Sequence, residues 1–111
     1  MKITNEDIND LVTCALEGGI NYWCEKAEIT KQPTEEYEFA SDVIGIGGEI
    51  TLHDAESDDT WVLDKEKFLK GVEKAIEHYE YADVEELIDN HDAETADVII
   101  QFAIFDEIVF G

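Results

Sequence analysis

The C-terminal stretch from Asp92 to Gly111, DAETADVIIQFAIFDEIVFG, limits the fold more than any other part of the chain. Between Ala93 and Phe105 apolar residues fall on nearly every side of a helical wheel, broken mainly by Glu94, Thr95, Asp97 and Gln101. A helix that is apolar all round is a buried one, so this spacing predicts a central helix against which the remaining elements pack. Asp97 and Gln101 are four apart and share one face, giving that helix a single narrow polar stripe. The stretch is too short and too interrupted to span a bilayer, which takes about 20 apolar residues. An apolar tail, Ile108-Val109-Phe110, follows it.

The elements ahead of it are legible from caps and periodicity. Thr4 and Asp7 have capping-box spacing, with Ile3 and Ile8 placed as a hydrophobic staple. Ile8, Leu11, Val12, Ala15 and Leu16 then mark one apolar helical face over residues 3–17, and Gly18 stands where a C-terminal cap is expected. The next segment, GGINYWCEK, places Tyr22 and Trp23 directly after a glycine pair. Such rings close one end of a core or form an aromatic lip for a partner. From Glu25 the pattern alternates, with Ala27 and Ile29 on one face and Lys26 and Glu28 on the other, as in a strand.

Pro33 and Thr34 end that strand, and residues 35–42 fit a loop or an edge strand equally well. Gly45, Gly47 and Gly48 precede an alternating run, so they read as a turn or bulge before a second strand and not as a phosphate loop, which requires a following helix. Thr60 to Leu63 returns as the third strand. Asp64 caps a second long helix, whose buried face is Phe68, Leu69, Val72, Ala75, Ile76 and Tyr79. Glu66 with Lys70, Lys70 with Glu73 and Lys74 with Glu77 have ion-pair spacing on its surface. Residues 83–89 fit a short third helix, so two or three helices follow the small antiparallel sheet, the last of them central. Helices before and after a run of strands, without βαβ alternation, predict a single α+β domain over residues 1–111.

Charge is the outlying property. The chain carries 29 acidic residues against 7 lysines and no arginine, a formal net charge of -22. Without arginine it lacks the usual bidentate reader of phosphates and base edges, so direct nucleic-acid binding is disfavoured. Between Gln32 and Asp64 there are ten acids and no base, and from Ala75 onward eleven acids and no base. These acids are interleaved with Ile, Val, Phe, Tyr and Trp, which distinguishes a folded acidic surface from a disordered tail. Duplex DNA carries about one charge per 1.7 Å of axis, so 22 charges match roughly 37 Å of duplex. A 111-residue globule is of comparable size. Halophilic adaptation and solubility account for the same figure.

No reaction is signalled. His53, His78 and His91 are scattered and form no helical pair with one another or with a cysteine. The acids are so numerous that carboxylate pairs arise by chance, and Ser41 and Ser57 lie in acidic turns without nucleophile-elbow glycines. Asp54, Glu56 and Asp58 occupy EF-hand positions 1, 3 and 5, but Asp59 replaces the required glycine and Lys65 the bidentate glutamate. No catalytic residue, metal site or cofactor is assigned on these grounds. Cys14 and Cys24 are too few for a disulfide framework, and no signal peptide precedes them, so both thiols are expected free in a bacterial cytoplasm.

GGINYWCEK and ADVIIQFAIFDEIVFG together resemble a family of small, uncharacterised acidic proteins encoded by bacteriophages, prophages and gut bacteria. DVIGIGGEITLHDAE and FLKGVEKA in the middle are compatible with that resemblance, which implies no catalytic residues. Three classes of function follow from the sequence. The first is a non-catalytic binding protein whose acidic surface engages a basic partner, such as a nucleic-acid-binding or host-defence protein, in the manner of a DNA mimic. Its expected contact residues are the adjacent acids Glu35, Glu36, Asp58, Asp59, Glu85 and Glu86, with Tyr22 and Trp23 as an aromatic contact. The second is an assembly protein that forms a homo-oligomer through apolar or aromatic patches such as Tyr22, Trp23 and the C-terminal Phe110. The third is a small enzyme or metal-dependent module, which requires a pocket combining a histidine with several acids.

Overall fold

Thr4 starts the first helix as its spacing predicts. Its hydroxyl accepts a hydrogen bond from Asp7 N–H at 3.0 Å, and the Asp7 carboxylate accepts one from Thr4 N–H at 3.1 Å, which satisfies two otherwise orphaned amides. The computed structural model, which describes residues 1–111, places this helix, α1, over Asn5–Cys14. The chain does not stop at Gly18. It widens into a π turn over Ala15–Gly19 that ends at Ile20. Gly18 has no neighbour that excludes a side chain, whereas a Cβ on Gly19 would lie 2.7 Å from the Ala93 carbonyl oxygen. Glycine is needed at 19 for close approach to the last helix, not at 18 for a left-handed cap.

Three strands follow: β1 over Cys24–Lys31, β2 over Glu49–Asp54 and β3 over Thr60–Leu63. They form an antiparallel sheet in the order β1-β2-β3. Ala27 opposes Leu52 and Ile29 opposes Ile50, while Ile50 opposes Leu63 and Leu52 opposes Trp61. Directly opposed residues share a face, so this register gathers Ile29, Ile50, Leu52, Trp61 and Leu63 on the inner surface, with Ala27 at its exposed margin. Glu28, Thr51 and Val62 line up on the outer one. There His53 Nε2 meets Glu28 Oε1 at 2.7 Å and the Thr30 and Thr51 hydroxyls meet at 2.8 Å. Residues 35–42 form a loop closed by a single 3₁₀ turn at Ala40–Asp42, with Phe39 exposed. Gly47 takes a φ of 95° in the turn before β2, a conformation that favours glycine.

The helical layer comprises α2 over Lys65–His78, α3 over Val84–Asn90 and α4 over Ala93–Phe105. Each begins with an aspartate cap: Asp64 accepts from Lys67 N–H, Asp83 from Glu86 N–H and Asp92 from Thr95 N–H. The expected boundaries of α4 are the observed ones, and its residues 95–101 are all buried. It packs against α2, the π turn, α1 and β3. The α2–α4 contact is unusually close at Gly71, where a Cβ would collide with the Ile99 carbonyl oxygen and lie 3.0 Å from Ala103 Cβ. Val98, Ile99 and Ile100 join Phe68, Val72, Leu52 and Leu63 in one core. Each such side chain contributes about 1.5–3 kcal/mol on full burial.

Of the three expected surface pairs on α2, the one between Glu66 and Lys70 forms, and those of Lys70 with Glu73 and Lys74 with Glu77 do not. Lys70 pairs with Glu66 at 4.0 Å, but Lys74 turns away from Glu77 to the end of α4. There it pairs with the Asp106 carboxylate and donates to the Asp106 carbonyl at 3.3 Å. A cation at a helix C-terminus complements the macrodipole, an attraction the Glu77 side chain does not offer. No helix is long and apolar enough to cross a membrane.

Candidate functional site

The polar stripe of α4 turns inward. Asp97 is 7% exposed and Gln101 is fully buried, and burial of such groups requires partners. Asp97 Oδ1 accepts from Trp23 Nε1–H at 2.8 Å and from Gln101 Nε2–H at 2.9 Å. Its Oδ2 accepts from the Tyr22 hydroxyl at 2.5 Å. Gln101 Nε2 also reaches the Tyr22 hydroxyl at 3.3 Å and the Phe110 carbonyl at 3.2 Å. Gln101 Oε1 accepts from the backbone N–H groups of Val109 and Phe110 at 2.7 and 2.8 Å. A single helical face therefore ties the segment after the π turn to the C-terminal tail.

The tail is held by aromatic packing as well. The Phe110 ring stacks on Trp23 with centroids 5.0 Å apart and planes 6° from parallel, while Trp61 and Phe105 meet Trp23 edge-on or tilted at 5.8 Å. Trp23 is thereby enclosed, at 2% exposed, and offers no contact surface. Of the aromatic pair predicted as a contact, only Tyr22 shows a face to solvent, at 56% exposed. Its ring is open but its hydroxyl is tucked against Asp97. Withdrawal of that hydroxyl from water, followed by its hydrogen bond to Asp97, pushes the phenol up to about 12.

Beside this network runs a cleft of about 410 Å³, walled by Tyr22, Tyr79, Glu94, Asp97, Ile108 and Phe110 among others. Its lining includes the carboxylates of Glu94 and Asp97 and no lysine. The Tyr79 hydroxyl is buried there without a hydrogen-bond partner, and burial raises its phenol above the ordinary range. His78 stands at the cleft edge, packed edge-on against Tyr79 and Phe102. His53 is on the outer sheet face with Glu28, and His91 Nδ1 lies 2.6 Å from the Ile88 carbonyl. The three histidines thus occupy three separate places. No group of three or more histidine, cysteine, aspartate or glutamate side chains is arranged to hold a metal ion.

The six acids predicted as contacts are all exposed, but the fold does not gather them. Glu35 and Glu36 follow the Lys31 end of β1, whereas Asp58 and Asp59 lie in the β2–β3 turn at the opposite end of the sheet. Six residues of strand put those ends about 20 Å apart. Glu85 and Glu86 begin α3, where Glu86 also accepts from Ala82 N–H at 2.9 Å. The Asp54–Asp59 turn is closed by its own bonds, with Asp54 accepting from Glu56 N–H and the Ser57 hydroxyl. Lysine ion pairs are confined to Glu28, Glu49, Glu66 and Asp106, so most carboxylates face solvent without a cation.

Sequence reasoning identified Tyr22, Trp23, Asp97 and Gln101 individually but not as one unit. The available signal was two polar side chains inside an otherwise apolar helix, together with two ring donors elsewhere in the chain. Compared with protein-family models, curated proteins and solved structures, the chain matches none.

Proposed function

We propose that the protein acts by binding, its acidic surface engaging a basic partner that otherwise binds nucleic acid. The observation that carries this reading is charge per length. The molecule has principal extents of 36 × 33 × 20 Å and a formal net charge of -22. A duplex of the same 36 Å length carries about 21 phosphate charges. Spreading the acids over the sheet loop, the hairpin turn and α3 suits a partner that tracks a charged body and does not read one point. The test is capture of partners from bacterial lysate on tagged protein at low salt, eluted in parallel with high salt and with duplex DNA. The reading predicts a basic protein released by both; a partner that neither DNA nor salt displaces contradicts it.

A second reading, self-association, is favoured by the exposed apolar strip of Tyr22, Ile108 and Val109, which are 56, 40 and 53% exposed. It predicts a homo-oligomer by light scattering whose mass is indifferent to salt. A monomer at all salt concentrations contradicts it.

A further inference from the structure

The cleft beside Asp97 combines three properties. It has depth, at about 410 Å³, within the range of sites that enclose small organic groups. It has apolar and aromatic walls, from Tyr22, Tyr79, Val98, Ile108 and Phe110. Its carboxylates, Asp97 and Glu94, meet no lysine: the paired lysines reach Glu28, Glu49, Glu66 and Asp106 instead.

The hydrogen-bond capacity of Asp97 is not exhausted. A carboxylate offers about four acceptor positions, and three are filled, two on Oδ1 and one on Oδ2. The remaining position is on Oδ2, the oxygen bonded to the half-exposed Tyr22. Tyr79 forms another part of the wall, its hydroxyl enclosed by protein. Aromatic faces attract cations held over them, and apolar walls suit the methylene stem of a long basic side chain.

We infer that this cleft receives a lysine or arginine side chain of the basic partner, its stem against Tyr22, Tyr79 and Ile108 and its cationic head on Asp97 and Glu94. This rests on the binding function proposed above and supplies what a dispersed acidic surface lacks, a point that fixes register. An anion is excluded by the two carboxylates, and a purely apolar group would leave the free acceptor position of Asp97 Oδ2 unused.

The experiment has two arms, both read by ¹H–¹⁵N NMR on the intact chain. In the first, n-butylguanidinium is titrated against its neutral isostere n-butylurea. The expected result is a saturable shift of the Trp23 indole N–H, which is bonded to Asp97, and of the Gln101 side-chain amide, with no such response to the urea. Glu94→Gln, a change at an exposed position, should weaken the response about fivefold. Equal responses to both probes, or guanidinium shifts spread evenly over the acidic surface, overturn the site.

In the second arm a lysine- and arginine-rich peptide is titrated into the wild type, the Glu94→Gln variant and a variant neutralised at Glu35, Glu36, Asp58, Asp59, Glu85 and Glu86. Cleft shifts that Glu94→Gln weakens support the site. Peptide binding that bypasses the cleft resonances overturns the site and leaves the acidic-surface reading standing. Guanidinium binding in the cleft without any peptide binding at low salt overturns that reading, and with it the assignment of the cleft to a partner's side chain.

Discussion

The side-chain amide of Gln101 pairs with the backbone of Phe110 in both directions, Oε1 accepting from its N–H at 2.8 Å and Nε2 donating to its carbonyl at 3.2 Å. A buried glutamine on a helix thus does for the tail what a neighbouring strand does for an edge. The same nitrogen donates to Asp97, so the tail and the Tyr22–Trp23 segment share one anchor.

Replacing Gln101 by leucine keeps the volume but removes every partner in this set. Asp97 loses a donor and the Val109 and Phe110 amides lose their acceptor. Leaving buried polar groups unpaired costs about 1–3 kcal/mol each, so a total loss of about 3 kcal/mol is expected in urea unfolding. Because Phe110 stacks on Trp23, release of the tail should also shift the tryptophan emission of the folded variant to the red.

Tyr22 gives the network an alkaline limit. Its phenol is pushed up to about 12 in the folded state, above the ordinary value of about 10. A group raised on folding contributes stability that is fully present below the unfolded value and is lost as pH rises through the folded one. Folded protein should therefore show one tyrosine ionising near 12 in a phenolate absorbance titration, a component absent in Tyr22→Phe. Stability should decline between about pH 10 and 12 in the wild type more steeply than in the variant.

Asp92 works in the opposite sense. Hydrogen bonding from Thr95 N–H holds its carboxyl below the usual carboxylate range. A depressed value contributes stability above the unfolded value that is lost as pH falls through the folded one. Asp92→Ala should cost about 1 kcal/mol at neutral pH as a lost helix cap, and its deficit relative to wild type should shrink below about pH 4. Thermal melts of both proteins at several pH values measure this.

Gly71→Ala tests the α2–α4 contact. Alanine improves helix propensity by about 1 kcal/mol, but its Cβ meets the Ile99 carbonyl, which is backbone and yields little. Overpacking against such a wall costs about 1–3 kcal/mol. The contact is expected to win, lowering the melting temperature by several degrees, whereas the same substitution at Gly18, with open space around it, should not lower it.

Much of the fold was readable because its signals are local. Thr4, Asp64 and Asp92 act as caps, and the apolar run from Ala93 to Phe105 marks the buried helix. Alternation at Ala27 and Ile29 sets the face of β1. The candidate site was readable only as separate residues, because a polar stripe on a helix does not state whether water or another segment satisfies it. Asp97 and Gln101 are answered by Tyr22, Trp23 and Phe110, and for Tyr22 and Trp23 that answer comes from about 75 positions away. The end of the first helix was misplaced for a related reason: Gly18 carries the usual stop signal, but Gly19 is the glycine that tertiary approach to Ala93 requires. Lys74 likewise prefers the end of α4 to its own helical neighbour.

The central claim is that the acidic surface competes with nucleic acid for a basic partner. The most direct measurement is the anisotropy of a labelled duplex bound to the captured partner while this protein is titrated in, at about 50 and 200 mM salt. The account predicts that anisotropy falls to the free-duplex value, with weaker competition at the higher salt. Anisotropy that stays constant or rises as the protein is added, meaning that partner, duplex and protein coexist in one complex, contradicts it.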